Sequence, residues 1–279
     1  MSLLVLDFDG TMTDAEVEGG PFTAGYLEDL AALVGRRADD PELAAIVAGV
    51  RDRIAHDPEA SFVWQGHAVA PSRVDPYLRI VPIAEAIFDA FGAFPRAVDR
   101  GALLGRVLYK YNYAKTLIAP RPGARELLAA LAGTDTWVVT NSHTEHVAAK
   151  VDAIDAGTGA LAWLRGRIHG NASKFEIDDA WTGAPAELSL PGLRRPVLLR
   201  RRKYHAVLAE LLAGRPFADL TVVGDIFELD LAMPLAMGAR VGLVAGPHTP
   251  PHEIAYCDEH PRARVIRRLD EVLALAPGR

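Results

Sequence analysis

Short apolar runs that end at polar residues recur along the chain, and helical patterns separate them. The first run, Leu3–Leu6, is followed at once by Asp7. Similar runs at 136–139, 220–223 and 240–244 predict further strands, and amphipathic segments between them predict helices. Strands that alternate with helices are typical of a parallel sheet with right-handed crossovers. The predicted fold class is therefore α/β, with a doubly wound, mostly parallel sheet.

Residues 16–116 differ from this pattern because their apolar positions have mainly helical spacing. Asp40 followed by Pro41 predicts the start of one of these helices, whereas residues 61–76 have an irregular pattern. The sequence thus predicts an α/β core made of residues 1–15 and 117–279, interrupted by a helical insert at 16–116. The pattern leaves the path of residues 155–200 open.

Composition and charge restrict the function classes. The 279 residues suffice for one large domain with an insert, and the net charge of −6 offers no general attraction to nucleic acid or to an anionic membrane. The single cysteine, Cys257, excludes an internal disulfide framework. No apolar run reaches the roughly 20 residues of a membrane span, and acids interrupt the first run at Asp7. We expect a cytoplasmic protein.

The first strand leads into a segment with candidate chemistry. In an extended segment Asp7 and Asp9 point the same way, because side chains alternate with a period of two. Two such carboxylates repel each other unless a cation or a shared proton holds them. Gly10 permits a sharp turn, and Thr11 places a hydroxyl beside the acids. A strand that simply ends in a polar turn is the alternative interpretation.

Two other predicted strands also end in polar groups. Thr140 and Asn141 follow one of them, and Asp225 follows another. In open α/β sheets ligands bind outside the carboxyl ends of the strands. Acids contributed by two strand ends suit a cation that prefers oxygen ligands, and a small hydroxyl or amide donor between them suits a phosphate oxygen.

These motifs together resemble the haloacid dehalogenase superfamily, specifically its phosphatase-like members. The resemblance covers about the first 14 residues and residues 120–275. The segments that carry it are Asp7-Phe8-Asp9-Gly10-Thr11 as the first motif, Thr140 with Asn141 as the second, and Gly224-Asp225 with Asp230 as the fourth. The resemblance implies a Rossmann-like core, and it implies that the helical insert is a cap.

The resemblance also implies a Mg²⁺-dependent phosphatase that hydrolyses a small phosphorylated metabolite. Asp7 would attack phosphorus to form an aspartyl phosphate, and Asp9 would act as general acid and base. Mg²⁺ would be held by Asp7, Asp225 and the main-chain carbonyl of Asp9, while Asp230 would orient metal-bound waters or act as an occasional ligand. Glu228 competes with Asp230 for that role.

Phosphate binding is implied for Thr11, Thr140, Asn141 and a lysine. Lys203 stands 22 residues before Asp225 at the start of a predicted helix, where the family's third motif usually lies. Lys174 is the alternative, and the neighbouring arginines 200–202 could also supply the charge. Arginines 194, 195 and 200–202 could bind nucleic acid, but the absence of interleaved aromatic residues and the acidic total favour a solvated or phosphate-facing edge.

Alternative functions stay open at this point. Asp9 argues against dehalogenation, because relatives that release halide lack this acid. A phosphomutase would use the same phosphoenzyme, and a non-catalytic binding or regulatory protein would keep the fold alone. Trp64, His67, Arg73, Tyr109 and Lys110 are candidates for substrate contacts by location only. The expected partner is a small phosphorylated metabolite, with neither nucleic acid nor membrane; the sequence does not indicate its identity or the oligomeric state.

Overall fold

The computed structural model describes residues 2–276 and contains a six-stranded sheet whose neighbouring strands are all parallel. The strand order is β10-β9-β8-β1-β4-β5, which confirms the predicted α/β class. In chain order the strands are β1 (Leu3–Leu6), β2 (Ser61–Trp64), β3 (His67–Pro71), β4 (Thr136–Val139), β5 (Ile168–His169), β6 (Glu187–Leu188), β7 (Val197–Leu198), β8 (Leu220–Gly224), β9 (Arg240–Val244) and β10 (Ala263–Ile266).

Helices connect the strands of the sheet and form most of the region between β1 and β4. They are α1 (Ala15–Glu18), α2 (Gly20–Leu33), α3 (Pro41–His56), α4 (Pro76–Ala90), α5 (Ala97–Gly101), α6 (Tyr109–Tyr113), α7 (Ala124–Ala130), α8 (Thr144–Asp155), α9 (Arg202–Leu212), α10 (Ala232–Ala236) and α11 (Pro251–Glu259). Short 3₁₀ segments span Ala162–Gly166, Phe217–Asp219 and Leu269–Leu275, and π-helical segments span Ala102–Leu108 and Phe227–Leu231. Within residues 2–276, none of the helices is both long enough and apolar enough to pass through a membrane.

Strand β1 lies in the middle of the sheet and is buried on both faces. Leu3 and Val5 belong to one apolar core, while Leu4 and Leu6 belong to a second core. All four side chains are fully buried. A parallel strand covered by helices on both faces needs an uninterrupted apolar run rather than an alternating one, which explains the pattern at the start of the sequence.

The strand order reverses where β1 and β8 run side by side. The chain leads from β1 to β4 on one side of β1 and from β8 to β9 on the other, so the two connections diverge at this point. Such a switch point opens a crevice at the carboxyl ends of the strands. The Asp7 amide donates a hydrogen bond of 2.8 Å to the carbonyl of Val223, so residue 7 leaves β1 beside the end of β8.

The chain divides into two compact units. One comprises Met1–Asp14, Val63–Ala70 and Pro120–Arg279 and contains the parallel sheet. The other comprises Ala15–Phe62 and Pro71–Ala119, and its core is formed by residues of α2, α3 and α4 and of the first π-helical segment. Helix α3 begins as predicted, because the Asp40 carboxylate accepts the amide hydrogens of Glu42 at 2.8 Å and Leu43 at 3.3 Å.

The region 61–76, predicted to be irregular, contains the β2–β3 hairpin. Gln65 and Gly66 form its two-residue turn, with φ angles of 49° and 86°. A turn with two positive φ angles matches the twist of a hairpin and favours glycine in its second position. The run Ser61–Trp64 holds aromatic and β-branched residues that suit a strand, but it is too short to stand out in the sequence.

The segment 155–200, left open by the sequence, contains a 3₁₀ turn, the edge strand β5 and a small antiparallel ladder. In that ladder Glu187 faces Leu198 and Leu188 faces Val197. The strand expected near residues 196–199 therefore exists as β7, but it pairs outside the parallel sheet. Two-residue strands bury too little surface to be recognised from their sequence pattern.

Candidate active site

Three carboxylates meet at the carboxyl ends of β1 and β8. Asp7 follows β1, Asp225 follows β8, and Asp230 lies in the π-helical segment that comes next. One oxygen from each lies within 4.8 Å of the others, and no residue of the three is more than 9% exposed. Parallel neighbouring strands thus bring together acids that stand more than 200 positions apart in the sequence.

Two glycines allow the carboxylates to approach the main chain. Gly10 has a φ angle of +81°, and a Cβ atom there would lie 2.3 Å from Asp225 Oδ2. A Cβ atom on Gly224 would lie 2.6 Å from Asp230 Oδ2. Both distances are far below van der Waals contact, so any side chain at either position would displace a carboxylate.

Thr11 is fully buried and its hydroxyl lies between two of the acids. Its Oγ1 is 3.0 Å from Asp7 Oδ2 and 2.9 Å from Asp225 Oδ1. A hydroxyl has one hydrogen, so it can donate to only one of these oxygens at a time. The other carboxylate oxygen therefore lies beside the hydroxyl oxygen without accepting its hydrogen.

Lys174 is the cation of this cluster. Its Nζ donates to Asp7 Oδ1 and to Asp230 Oδ1 at 2.7 Å each, and its side chain is 1% exposed. Burial alone would lower the pKa of Lys174, but the attraction of Asp230 and Asp7 outweighs burial and raises it. Three ionised carboxylates and one ammonium leave a net charge of −2, which is the charge that a divalent cation would balance.

Burial has the opposite effect on Asp7. It raises the pKa of this carboxyl from 3.8 to about 7, because the attraction of Lys174 only partly offsets the loss of hydration and the repulsion from Asp230. Without a metal ion, Asp7 therefore takes up a proton near neutral pH.

The loop that carries Lys174 has an unusual backbone. Asn171 and Ser173 have φ angles of 56° and 49°, a region in which non-glycine residues each cost on the order of 1 kcal/mol. The side-chain oxygen of Asn141 accepts a hydrogen bond of 2.7 Å from the Lys174 amide. Asn141, expected from the sequence to bind phosphate, is placed by the structure as a hydrogen-bond acceptor for the main chain of Lys174.

Asp9 lies beside a second buried lysine. Lys150 Nζ donates to Asp9 Oδ1 at 2.5 Å, and Thr140 Oγ1 lies 3.4 Å from Asp9 Oδ2. The side chain of Asp9 remains 20% exposed, whereas that of Lys150 is 9% exposed. The carboxylate of Asp9 is not in the three-acid cluster.

The sequence interpretation missed Lys150. Its position in α8 offers a signal, because Val147, Lys150, Val151 and Ile154 have the spacing of one buried helix face. A lysine at a core position of an amphipathic helix requires a partner, since an unpaired buried ammonium is costly.

Lys203 is not brought to the three acids. Its ammonium pairs with Glu176 at 2.7 Å, and its side chain is 63% exposed. Lys203 is the second residue of α9, whose buried face is formed by Tyr204, Leu208 and Leu212, so the helix directs it to solvent. The structure thus places Lys174, rather than Lys203, at the candidate nucleophile.

The remaining charged candidates have separate partners. Glu228 is fully buried and forms a bidentate pair with Arg195, at 2.9 and 2.6 Å, so it is not part of the three-acid cluster. Arg202 pairs with Asp178 at 3.3 Å and is 67% exposed, whereas Arg201 is fully buried. The expectation of a solvated or phosphate-facing edge therefore does not describe Arg201.

Comparison with known proteins identifies the family. A family model described as haloacid dehalogenase-like hydrolase matches residues 1–238. The chain belongs to the haloacid dehalogenase-like hydrolases. This membership confirms the resemblance read from the motifs, and with it the expectation of an enzyme. No curated protein matches this haloacid dehalogenase-like hydrolase in a sequence search.

Solved structures show the same fold at low sequence identity. A candidate phosphoglycolate phosphatase from Lactobacillus delbrueckii subsp. bulgaricus is 16% identical, with a TM-score of 0.53, and the match covers 99% of this chain and 100% of that one. YfnB from Bacillus subtilis, a candidate HAD-hydrolase bound to magnesium, is 16% identical with a TM-score of 0.52, covering 98% and 97%. A candidate beta-phosphoglucomutase from Thermotoga maritima is 13% identical with a TM-score of 0.51, covering 99% and 98%.

Proposed function

We propose that this haloacid dehalogenase-like hydrolase is a Mg²⁺-dependent phosphatase that acts on a small phosphorylated metabolite. The observation that carries the proposal is the buried cluster of Asp7, Asp225 and Asp230, in which Asp7 and Asp230 share the ammonium of Lys174. Such a cluster combines a candidate nucleophile, a negatively charged cation site and a positive charge for the phosphoryl group. A buried group of like charges is costly to maintain, which is why it indicates function rather than packing.

The donor set fits a magnesium ion. Carboxylate oxygens are the ligands that hard divalent cations prefer, and the cluster carries an excess negative charge of two when its acids are ionised. Asp7, Asp225 and the main-chain carbonyl of Asp9 would hold the ion, with Asp230 as a ligand or as an acceptor for its waters. When bound, the ion would reduce the repulsion between the Asp7 carboxylate and the anionic substrate.

Catalysis would proceed in two displacements. Asp7 Oδ attacks phosphorus, the bond from phosphorus to the leaving oxygen breaks, and Asp9 gives its proton to that oxygen. In the second step Asp9 takes a proton from water, whose oxygen attacks the aspartyl phosphate and releases inorganic phosphate and the Asp7 carboxylate. Lys150 and Thr140, which contact the two oxygens of Asp9, hold its carboxylate between the steps.

Charge on the transferring phosphoryl group would be balanced by groups that already converge on Asp7. We assign the cation role to Lys174 in place of Lys203, because its Nζ lies 2.7 Å from the carboxylate that attacks. Thr140 would donate its hydroxyl hydrogen to a phosphoryl oxygen. Thr11 would keep Asp7 and Asp225 aligned by donating to one of them.

Turnover of a phosphate-ester panel tests this proposal. Purified protein should release phosphate from p-nitrophenyl phosphate and from at least one small phosphorylated metabolite, and EDTA should abolish the release until Mg²⁺ is restored. Isomerisation of a sugar phosphate without net release of phosphate would instead indicate a phosphomutase, the second candidate. Absence of any turnover, together with no Mg²⁺-dependent beryllofluoride adduct at Asp7, would indicate a binding protein and contradict the proposal.

Magnesium should stabilise the protein more strongly at alkaline than at acidic pH. Because the pKa of Asp7 is raised from 3.8 to about 7 by burial, the metal-free protein gains a proton on folding and loses stability as the pH rises through this range. Mg²⁺ competes with that proton. Saturating Mg²⁺ should raise Tm by on the order of 5 °C at about pH 8 and by much less at about pH 5.5.

Differential scanning fluorimetry at the two pH values measures this effect. Asp225→Asn removes one expected ligand and serves as the comparison, so its Tm should respond weakly to Mg²⁺ at both pH values. A wild-type shift of equal size at both pH values would contradict the metal assignment.

A further inference from the structure

Arg201 is buried without a carboxylate at hydrogen-bond distance in the described structure. Its side chain is fully inaccessible, and its two terminal nitrogens donate to main-chain carbonyls, Nη1 to Lys174 and Nη2 to Val69, the latter at 2.9 Å. Its Nε has no hydrogen-bond partner within residues 2–276. Burial lowers the pKa of Arg201 to about 10, so the guanidinium stays charged at neutral pH.

Burial of an arginine whose hydrogen bonds go only to carbonyls is unfavourable for the stability of a fold. The charge loses its hydration, and neutral acceptors compensate less well than a paired carboxylate would. Its two neighbours in the sequence are less buried. Arg200 is half-buried and donates to the carbonyl of Asp179 at 2.6 Å, and Arg202 is 67% exposed and pairs with Asp178.

The main chain of Lys174 is fixed at both ends of the residue. Asn141 Oδ1 accepts its amide hydrogen, and Arg201 donates to its carbonyl. The preceding residues Asn171 and Ser173 have left-handed φ angles, a conformation that the backbone keeps only where its surroundings hold it. Because Lys174 Nζ must reach Asp7 and Asp230 from this loop, the position of its Cα sets whether the ammonium can bridge both acids.

The same guanidinium also holds the β2–β3 hairpin. Val69 lies in β3, and at the other strand of the hairpin the Trp64 ring packs against Phe175, with 4.8 Å between ring centroids. Phe175 directly follows Lys174. The hairpin and the lysine loop therefore contact each other directly through this ring pair, and Arg201 links their main chains a second time, through Val69 and Lys174.

We propose that Arg201 is a positioning residue for Lys174, which it holds by its carbonyl and braces against the hairpin strand β3. The inference rests on the proposed phosphatase function, because its effect is exerted through the ammonium that would balance the phosphoryl charge. Arg201 itself does not touch the substrate. Its removal lets the loop at 171–174 relax and takes the ammonium away from Asp7.

A double-mutant cycle with p-nitrophenyl phosphate tests this role. Arg201→Met is expected to lower kcat/KM by about 10- to 100-fold at a temperature where circular dichroism shows the variant to be fully folded. In a Lys174→Met background, adding Arg201→Met should lower kcat/KM further by less than about twofold, because the ammonium through which Arg201 acts is already absent. Arg202→Met, an exposed neighbour that starts the same helix, is the matched control and should stay within about twofold of wild type.

Arg201→Lys addresses the case in which the apolar variant does not fold. It keeps the buried charge and can reach one carbonyl, so its kcat/KM should lie between the values for Arg201→Met and wild type. If Arg201→Met does not fold, the kcat/KM of Arg201→Lys should still be below that of wild type. The inference would be overturned if folded Arg201 variants had the kcat/KM of wild type. It would also be overturned if the losses of kcat/KM in Arg201→Met and Lys174→Met multiplied in the double mutant. Neither result would contradict the phosphatase proposal. Wild-type protein without phosphatase activity would overturn both.

Discussion

Asparagine in place of Asp7 is expected to reduce phosphate release by at least about 10⁴-fold. The carboxamide keeps the shape of the side chain but has no anionic oxygen with which to attack phosphorus. Folding should survive, because the change removes a carboxylate from a buried cluster that already contains Asp225 and Asp230. Initial rates with p-nitrophenyl phosphate and with the best metabolite of the panel, at saturating Mg²⁺, measure the loss.

The control for Asp7→Asn is Asp39→Asn, since the Asp39 side chain is 71% exposed and pairs with Arg37 at the surface. Its activity should equal that of wild type. Acid-quenched single turnovers give a second measurement: radiolabel from a labelled phosphate ester should be found on wild-type protein and be missing from Asp7→Asn. Activity of Asp7→Asn within tenfold of wild type would remove Asp7 as the nucleophile.

The two lysines weighed for phosphate binding are expected to differ sharply when each is replaced by methionine. Lys174→Met should lower kcat/KM by roughly 10²- to 10³-fold, because the buried ammonium at 2.7 Å from Asp7 would no longer balance the phosphoryl charge. Lys203→Met should change it by less than about twofold, since that ammonium pairs with Glu176 in an exposed position.

Stability must be measured in the same experiment. Lys174→Met leaves Asp7 and Asp230 without their shared partner, and breaking a buried ion pair costs about 3–5 kcal/mol. Rates are therefore compared in excess Mg²⁺ and well below the Tm of each variant. Vanadate inhibition adds a test of phosphate binding: it should weaken in Lys174→Met and persist in Lys203→Met. The reverse order of effects would return the role to Lys203.

The sheet and its acids are predictable because their signal is local. A fully buried parallel strand needs an unbroken apolar run, so β1, β4 and β8 are predictable as short apolar runs that stop at polar residues. The parallel arrangement then brings the polar residues that follow these strands to one edge of the sheet. For this reason Asp7 and Asp225, although distant in the sequence, could be expected to meet.

The positions of the buried lysine and arginine side chains are less predictable, because the local sequence does not indicate which groups they contact in the fold. Lys174 comes after two residues with left-handed φ angles, and although asparagine adopts this conformation more readily than most residues, Ser173 gives no such signal by its residue type. Arg201 stands in a run of basic residues, which usually indicates a solvated face, yet at the start of α9 it is fully buried, whereas Arg200 is half-buried and Arg202 is exposed. Lysine and arginine burial depends on long-range partners, here Asp7, Lys174 and Val69.

The close approach at Gly10 and Gly224 has a consequence for surveys of substitution tolerance. A methyl group at either position would intrude on Asp225 or Asp230, so nearly every replacement there should silence the protein as thoroughly as removal of the acid itself. Neither glycine has a functional group that could take part in the reaction. Intolerance to substitution at this edge of the sheet therefore identifies positions where a side chain does not fit as well as positions that react. A map of sensitive positions alone would wrongly count Gly10 and Gly224 among the reactive residues.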